Sequence, residues 1–284
     1  MTNKMFSHID EALINALKED VGSGDVTTSS LIPEASVSEA LLIAKGDLVL
    51  AGLPFAKRVF QLVDDRLEFR ALKREGTRVR KGSIVAEIKG KTAGILIAER
   101  TALNILQRMS GIATLTSDYV QAVKGSNVKI ADTRKTAPGL RYFDKYAVGM
   151  GGGQSHRYGL YDGVLIKDNH IAAAGGVGKA VRLARSRAHH LLKIEVEVKN
   201  IPEVKEALSA GADVIMLDNM NIDMMKKAAV LIRRKNPAVL IEASGNMNLE
   251  NIREVAETGV DLISVGALTH SAPAADLSLK IRSA

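Results

Sequence analysis

Two regimes of apolar patterning divide the chain. Up to about residue 98 the pattern is mixed. It predicts a short helix from Ser7, a candidate N-cap, through Ile9, Leu13 and Leu17. A Gly/Ser/Thr loop, GSGDVTTSS, is expected next. Four short strand-like runs follow: EALLIAKG, GDLVLAG, RLEFRAL and SIVAEIKG. Gly, Pro and charged turns separate them, so a small sheet with one or two helices is expected. A long helix is predicted over 99–123, with Leu103, Leu106, Met109, Ala113 and Val120 near one face and a kink at Gly111.

From residue 128 the pattern changes to repeated strand–helix units. The apolar runs are VKIAD, GVLIKD, LKIEVEV, DVIMLD, AVLIEAS and DLISVG. Helical stretches separate most of them. PEVKEALSAG has Pro202 in its first turn and Gly211 as its stop. NLENIREVAETG offers Asn248 as cap and Gly259 as stop. Continuous apolar strands alternating with helices imply a parallel sheet covered on both faces. Ionisable or small polar groups stand where nearly every strand stops. That favours an α/β barrel, whose strand ends converge on one site, over an open sheet with a single switch point. Six clear units are fewer than eight, so the barrel is expected to be incomplete.

Composition narrows the chemistry. The chain has no cysteine, which excludes disulfides, thiolate zinc sites and cysteine nucleophiles. The first 25 residues contain no long apolar run, so neither a signal peptide nor a membrane span is expected, and a cytoplasmic enzyme is the default. The net charge is +7, and residues 130–200 hold twelve Lys/Arg against six Asp/Glu. An excess confined to strands and loops suggests a pocket for a small polyanion. Lys179, Arg182, Arg185 and Arg187 are instead expected to form a solvated helix face. A nucleic-acid partner is not expected: aromatics are 4% with no tryptophan, so stacking platforms are scarce.

Three groups of residues carry candidate chemistry. The basic set is Arg134, Lys135, His156, Arg157 and Lys167, beside strand ends and the Gly151–Gly153 turn. Guanidinium forks match carboxylates. The acidic set is Glu195, Glu197 and Asp218. Glu195 and Glu197 share a strand face; either both line the barrel mouth or one lies deep in a salt bridge. Few hard oxygens suit Mg²⁺ carried in on a diphosphate, with Glu197 and Asp218 favoured. The third set, Ser244, Gly245, Gly266 and His270, lies at the last two strand ends, where barrels often cradle phosphate. No G-x-S-x-G, H-E-x-x-H or Walker motif is present.

These residues fall in motifs that resemble the quinolinate phosphoribosyltransferase family. ERTALN at 99–104, ADTRKTAPGLR at 131–141, KYAV at 145–148 and GGGQSHRYGLYD at 151–162 carry the resemblance. So do LIKDNH at 165–170, EVEV at 195–198, MLDNM at 216–220, EASGN at 242–246 and GALTHS at 266–271, with GDVTTSSLIP earlier. The resemblance runs from about residue 22 to 280. It implies a type II phosphoribosyltransferase fold: an N-terminal α/β sandwich domain over residues 1–110 and an incomplete α/β barrel over 111–284, the last residues packing back on the first domain. It implies a homodimer or higher oligomer acting on quinolinate and phosphoribosyl pyrophosphate. Arg134, His156, Arg157 and Lys167 would contact quinolinate, with Arg100 donated by the partner subunit. Lys135, Glu197, Asp218, Ser244, Gly245, Gly266 and His270 would serve the phosphoribosyl pyrophosphate side, with Mg²⁺. Ser155 departs from the family's more usual Asn. The runner-up is a paralogue of the same fold from molybdenum-transport operons, whose pattern lacks the LIKDNH stretch.

Overall fold

The structure is a computed structural model describing residues 7–282. It contains two compact units. One comprises residues up to Ser117, with Thr136–Gly152 and Ser271 onward; the other comprises Asp118–Lys135 and Gly153–His270.

The first unit opens with α1 (Ser7–Val21), which buries Leu13 and Leu17 and exposes Glu11, Asn15 and Lys18. The predicted cap at Ser7 lies outside the described side chains. The expected Gly/Ser/Thr loop is partly helical instead, as α2 (Val26–Leu31). Asp25 explains the difference: its carboxylate accepts the Thr28 N–H at 2.9 Å and caps a segment of weak helix formers. Then come β1 (Val37–Ala44), β2 (Leu48–Val49), α3 (Leu53–Val63), β3 (Glu68–Ala71), β4 (Arg78–Val79) and β5 (Ile84–Lys91). β5 pairs antiparallel with β1 on one side and β3 on the other. The GDLVLAG run does not join that sheet; β2 pairs only with β4. The Arg58 fork on α3 reaches Asp10 on α1 at 2.9 and 2.7 Å. Leu42, Phe60, Ile88, Ile95 and Leu106 are fully buried. Each stabilises the unit by about 1.5–3 kcal/mol relative to exposure.

The next helix, α4 (Thr92–Ala122), starts earlier than its pattern suggested and runs for 31 residues without a break at Gly111. That glycine serves close approach rather than bending. A Cβ there would sit 2.0 Å from the carbonyl oxygen of Pro273. Gly111→Ala is therefore expected to destabilise the fold by ~1–3 kcal/mol or more, as overpacking does. A lowered urea midpoint with an unchanged m-value would show it.

The second unit begins with β6 (Lys129–Ala131). The chain then contributes α5 (Arg141–Met150) to the first unit, where Phe143 packs edge-on against Phe55 with centroids 5.1 Å apart. Arg108 grips the buried Asp144 through two hydrogen bonds of 2.8 and 2.7 Å. Returning, the chain forms β7 (Val164–Ile166), α6 (Asp168–Ala174), α7 (Val177–Arg187), β8 (Ile194–Val198) and α8 (Ile201–Ala210). β9 (Val214–Asp218), α9 (Ile222–Lys235), β10 (Leu240–Ser244), α10 (Ile252–Ala256), β11 (Leu262–Ser264) and α11 (Ala267–His270) complete the unit.

All six predicted apolar runs are strands of one parallel sheet, ordered β6-β11-β10-β9-β8-β7. β6 and β7 end the order without pairing to each other, which makes the barrel incomplete. The four cations of α7 are exposed, as their spacing predicted. One cap moved. Asn248 does not start a long helix; its side chain accepts the Glu250 and Asn251 N–H groups in a turn, and α10 begins at Ile252.

A device away from the site repeats within this unit. Asp213, just before β9, accepts Arg185 at 2.6 Å and the Ile194 N–H at 2.7 Å. Asp261, just before β11, accepts Arg233 at 2.6 Å and the Ile241 N–H at 2.7 Å. Each aspartate ties the start of its own strand to the start of the neighbour and so fixes register at the amino ends.

The chain finishes in β12 (Leu277–Arg282), antiparallel to β1 from Glu39↔Arg282 to Ala44↔Leu277. No periodicity signalled this strand.

Candidate active site

The carboxyl ends of the barrel strands surround a cavity of about 630 Å³. Arg134 and Lys135 reach it from the end of β6. His156 and Arg157 enter from the loop before β7, and Lys167 from the end of β7. Glu197 comes from β8, Asp218 from β9, Ser244 and Gly245 from β10, and Gly266 and His270 from the end of β11. Of the barrel residues singled out in the sequence, all but Glu195 line this one space. Arg100 does not: it is exposed on α4, in the first unit.

Local structure explains the placement. The strands are mostly apolar, with polar groups at or just beyond their carboxyl ends, so hydrophobic burial fixes the strand while those groups are left at the rim. β8 is buried throughout, and Glu197 is 9% exposed. There Glu197 accepts a hydrogen bond from Lys167 Nζ at 2.9 Å. Arg134 and Arg157 each carry a buried Nε with no acceptor among the described residues. Arg157 Nη1 donates to the Gly163 carbonyl at 2.9 Å. Burial, and then repulsion from Arg134, lower the Arg157 pKa from its ordinary value. Two guanidiniums that close together are costly unless an anion arrives between or beside them.

The phosphate-like end is built from strained backbone. Asn219 and Asn246 adopt φ of 53° and 51°. Asn246 donates its side-chain amide to Asn219 Oδ1 at 3.1 Å, and Asn219 Nδ2 donates to Asp218 at 3.1 Å. Between them Gly245 has φ 94°, and a Cβ there would lie 2.2 Å from Asn219 Oδ1. Only glycine fits. At Gly266 an added Cβ would meet Lys135 Cδ at 3.0 Å and His270 Nε2 at 3.1 Å, so both side chains crowd the same turn.

Three participants escaped sequence reasoning. Asp132, fully buried, accepts the His156 N–H at 2.8 Å and thereby sets the loop that carries His156. Asn219 supports the β10 turn. Glu242 lines the cavity although it is only 2% exposed. The open question about Glu195 is also resolved. It lies deep, with His156 Nε2 3.1 Å away, and Glu242 completes the group at 3.6 Å from the same nitrogen. The only signal for Glu242 was an acid inside an otherwise apolar strand.

Burial, and then the charge of Glu195, push the Glu242 carboxyl up from 4.5 to about 8. The folded chain thus holds a proton that the unfolded chain releases. Stability from this source is greatest below pH 4.5 and declines as pH rises toward 8. Glu242→Gln is expected to flatten that decline. Parallel melting curves for both proteins from pH 5 to pH 8 would contradict it.

Comparison with known proteins agrees with this geometry. Residues 25–110 match the family model "Quinolinate phosphoribosyl transferase, N-terminal domain". Residues 112–280 match "Quinolinate phosphoribosyl transferase, C-terminal domain". The chain belongs to the quinolinate phosphoribosyltransferase family. A relative from Synechocystis, "Probable nicotinate-nucleotide pyrophosphorylase [carboxylating]", is 46% identical over 96% of this chain and 92% of its own length. A relative of the same description from Bacillus subtilis is 45% identical over 93% of this chain and 90% of its own. The crystal structure of NadC from Streptococcus pyogenes superposes with a TM-score of 0.92 at 41% identity, covering all of both chains. An incomplete barrel with an N-terminal sheet domain is therefore the fold of the family as well as of this chain. Among the described residues no helix is long and apolar enough to cross a membrane.

Proposed function

We propose that the chain transfers the phosphoribosyl group of phosphoribosyl pyrophosphate to quinolinate with decarboxylation. The products are nicotinate mononucleotide, pyrophosphate and carbon dioxide, a step of NAD biosynthesis. The observation that carries this reading is the meeting of Arg134, Arg157 and Lys167 with Glu197 and Asp218 in one cavity.

Quinolinate is a dianion, and the donor is more highly charged. Arg134, Arg157 and Lys167 lower the cost of bringing them together and hold the carboxylates. The unspent Nε donors of both arginines support that role. Lys135 and His270, crowded over Gly266, face the departing diphosphate. As it leaves, positive charge grows on the ribose, and Asp218 and Glu197 stabilise it electrostatically. The pyridine nitrogen then attacks the anomeric carbon. Once quaternised, it stabilises the carbanion left when the adjacent carboxylate departs as carbon dioxide, and a proton from solvent water then converts that carbanion to the ring C–H of the product. The residues supply position and field for that second step. The Lys167–Glu197 ion pair joins the two halves of the site.

Mg²⁺ fits these residues as a passenger on the diphosphate. Glu197 and Asp218 offer hard oxygens, and no third carboxylate or imidazole groups tightly with them among the described residues. Bound there, the ion would neutralise diphosphate charge. The working enzyme is a cytoplasmic homodimer or higher homo-oligomer in which Arg100 of one subunit serves the other. The exposure of Arg100 on α4 supports the second point; an intracellular donor substrate supports the first.

Incubation with quinolinate, phosphoribosyl pyrophosphate and Mg²⁺ tests the proposal. Equal yields of nicotinate mononucleotide and carbon dioxide are expected. Pyrophosphate release that is indifferent to quinolinate would overturn it.

A further inference from the structure

Around His156 in the cavity lie two buried acids, Glu242 and Glu195, that the reaction scheme leaves without a task. Glu242 on β10 and Glu195 on β8 flank β9 and point to the same interior. One oxygen of each lies within 4.8 Å of the other and of His156 Nε2. His156 Nε2 is 3.1 Å from Glu195 and 3.6 Å from Glu242. The other ring nitrogen, Nδ1, accepts the backbone N–H of Arg157 at 2.7 Å. With Nδ1 accepting, Nε2 carries the ring proton and donates toward the two acids. The imidazole is therefore held at both ends. Its lower end is fixed by buried carboxyl groups, and its upper end fixes the residue that bears the Arg157 guanidinium.

This arrangement does not suit a metal ion. Arg157 already interacts with Glu195, and Arg134 lies beside Arg157. A divalent ion would add charge to a cationic place. A burden of this kind, two acids taken out of water with one oxygen of each unpaired, is not a stabilising feature in itself. It calls for a use.

We propose that Glu242 is a positioning residue for quinolinate: acting with Glu195, it sets the His156 ring and through it the backbone of Arg157. The inference rests on the function proposed above. It goes beyond that function by assigning a role to a residue that touches neither the ribose nor the diphosphate. Geometry, rather than negative charge, is what Glu242 provides. Its side chain is nearly inaccessible to water, and it faces a second carboxylate. A neutral group of the same shape should do its work, whereas a shorter acid should not.

Two conservative variants separate these cases. Glu242→Gln keeps length and hydrogen-bonding capacity, and its quinolinate KM is expected within about two-fold of wild type. Glu242→Asp keeps the carboxyl but withdraws it from His156. It is expected to raise quinolinate KM by ~10–10²-fold, the cost of a small misplacement, while the KM for phosphoribosyl pyrophosphate stays put. Calorimetric binding of quinolinate to each protein should follow the same order, and melting curves confirm that both variants are folded. The proposal is overturned if the Gln variant loses quinolinate binding as badly as the Asp variant. It is equally overturned if the Asp variant binds normally, or if both substrates weaken together. Wild-type enzyme is measured alongside. Absence of nicotinate mononucleotide there would count against the assigned reaction, whereas an active wild type with no KM split would count against Glu242 alone.

Discussion

Arg157→Ala is expected to lower kcat/KM for quinolinate by ~10²–10³, the loss seen when one pre-organised charge is removed from an active site. The reason lies in its surroundings. The side chain is half-buried, has a buried Nε without an acceptor among the described residues, and sits close enough to Arg134 for repulsion to be felt. Such a group is unfavourable in the empty site and favourable once a dicarboxylate is present, so the binding step gains from relief of that strain. The KM for phosphoribosyl pyrophosphate should change little. Arg157→Lys should recover only part of the activity, because a point charge cannot reproduce a fork. Steady-state kinetics with each substrate varied in turn make the check. Unaltered quinolinate turnover in the alanine variant would remove Arg157 from the site.

Asp218→Asn should act on the other half of the reaction. The shape is retained, and Asn219 Nδ2, which donates to Asp218 at 3.1 Å, can still find an oxygen. What is lost is one negative charge beside the ribose, where cationic character develops. The expected result is a fall in kcat of ~10²–10³ with quinolinate affinity preserved. Equal loss of quinolinate binding would mean that Asp218 organises the whole pocket rather than one step.

The barrel was legible because its code is local and repeated. Nearly all of the six apolar runs end in or beside a small or ionisable polar residue, and burial of the run places that residue at the rim. The placements of Arg134, Lys167, Glu197 and Asp218 follow from strand ends alone. Elements fixed at long range were not legible. β12 is defined by pairing with β1, more than 200 residues earlier, and its sequence carries no turn or alternation strong enough to announce that. Gly111 looked like a helix breaker, yet its missing side chain makes room for the carbonyl of Pro273. The α2 segment looked like a loop because Val, Thr and Ser are weak helix formers; the Asp25 cap outweighs them. Glu242 was hidden for a related reason. Within AVLIEAS it is one acid in a strand, and its meaning arises only when β8 supplies Glu195 and a distant loop supplies His156. Arg100 was not legible either. Its sequence position and its exposure are those of an ordinary surface arginine, and only the family resemblance gives it a task.

The central claim is that cations from separate strand ends form one receptor for an aromatic dicarboxylate. A crystal structure of the protein soaked with quinolinate tests it most directly. The pyridine ring is expected inside the barrel mouth, with its carboxylates against Arg134, Arg157 and Lys167 and its nitrogen turned toward Asp218. Quinolinate bound outside that mouth, with those three side chains making no contact to it, would contradict the account.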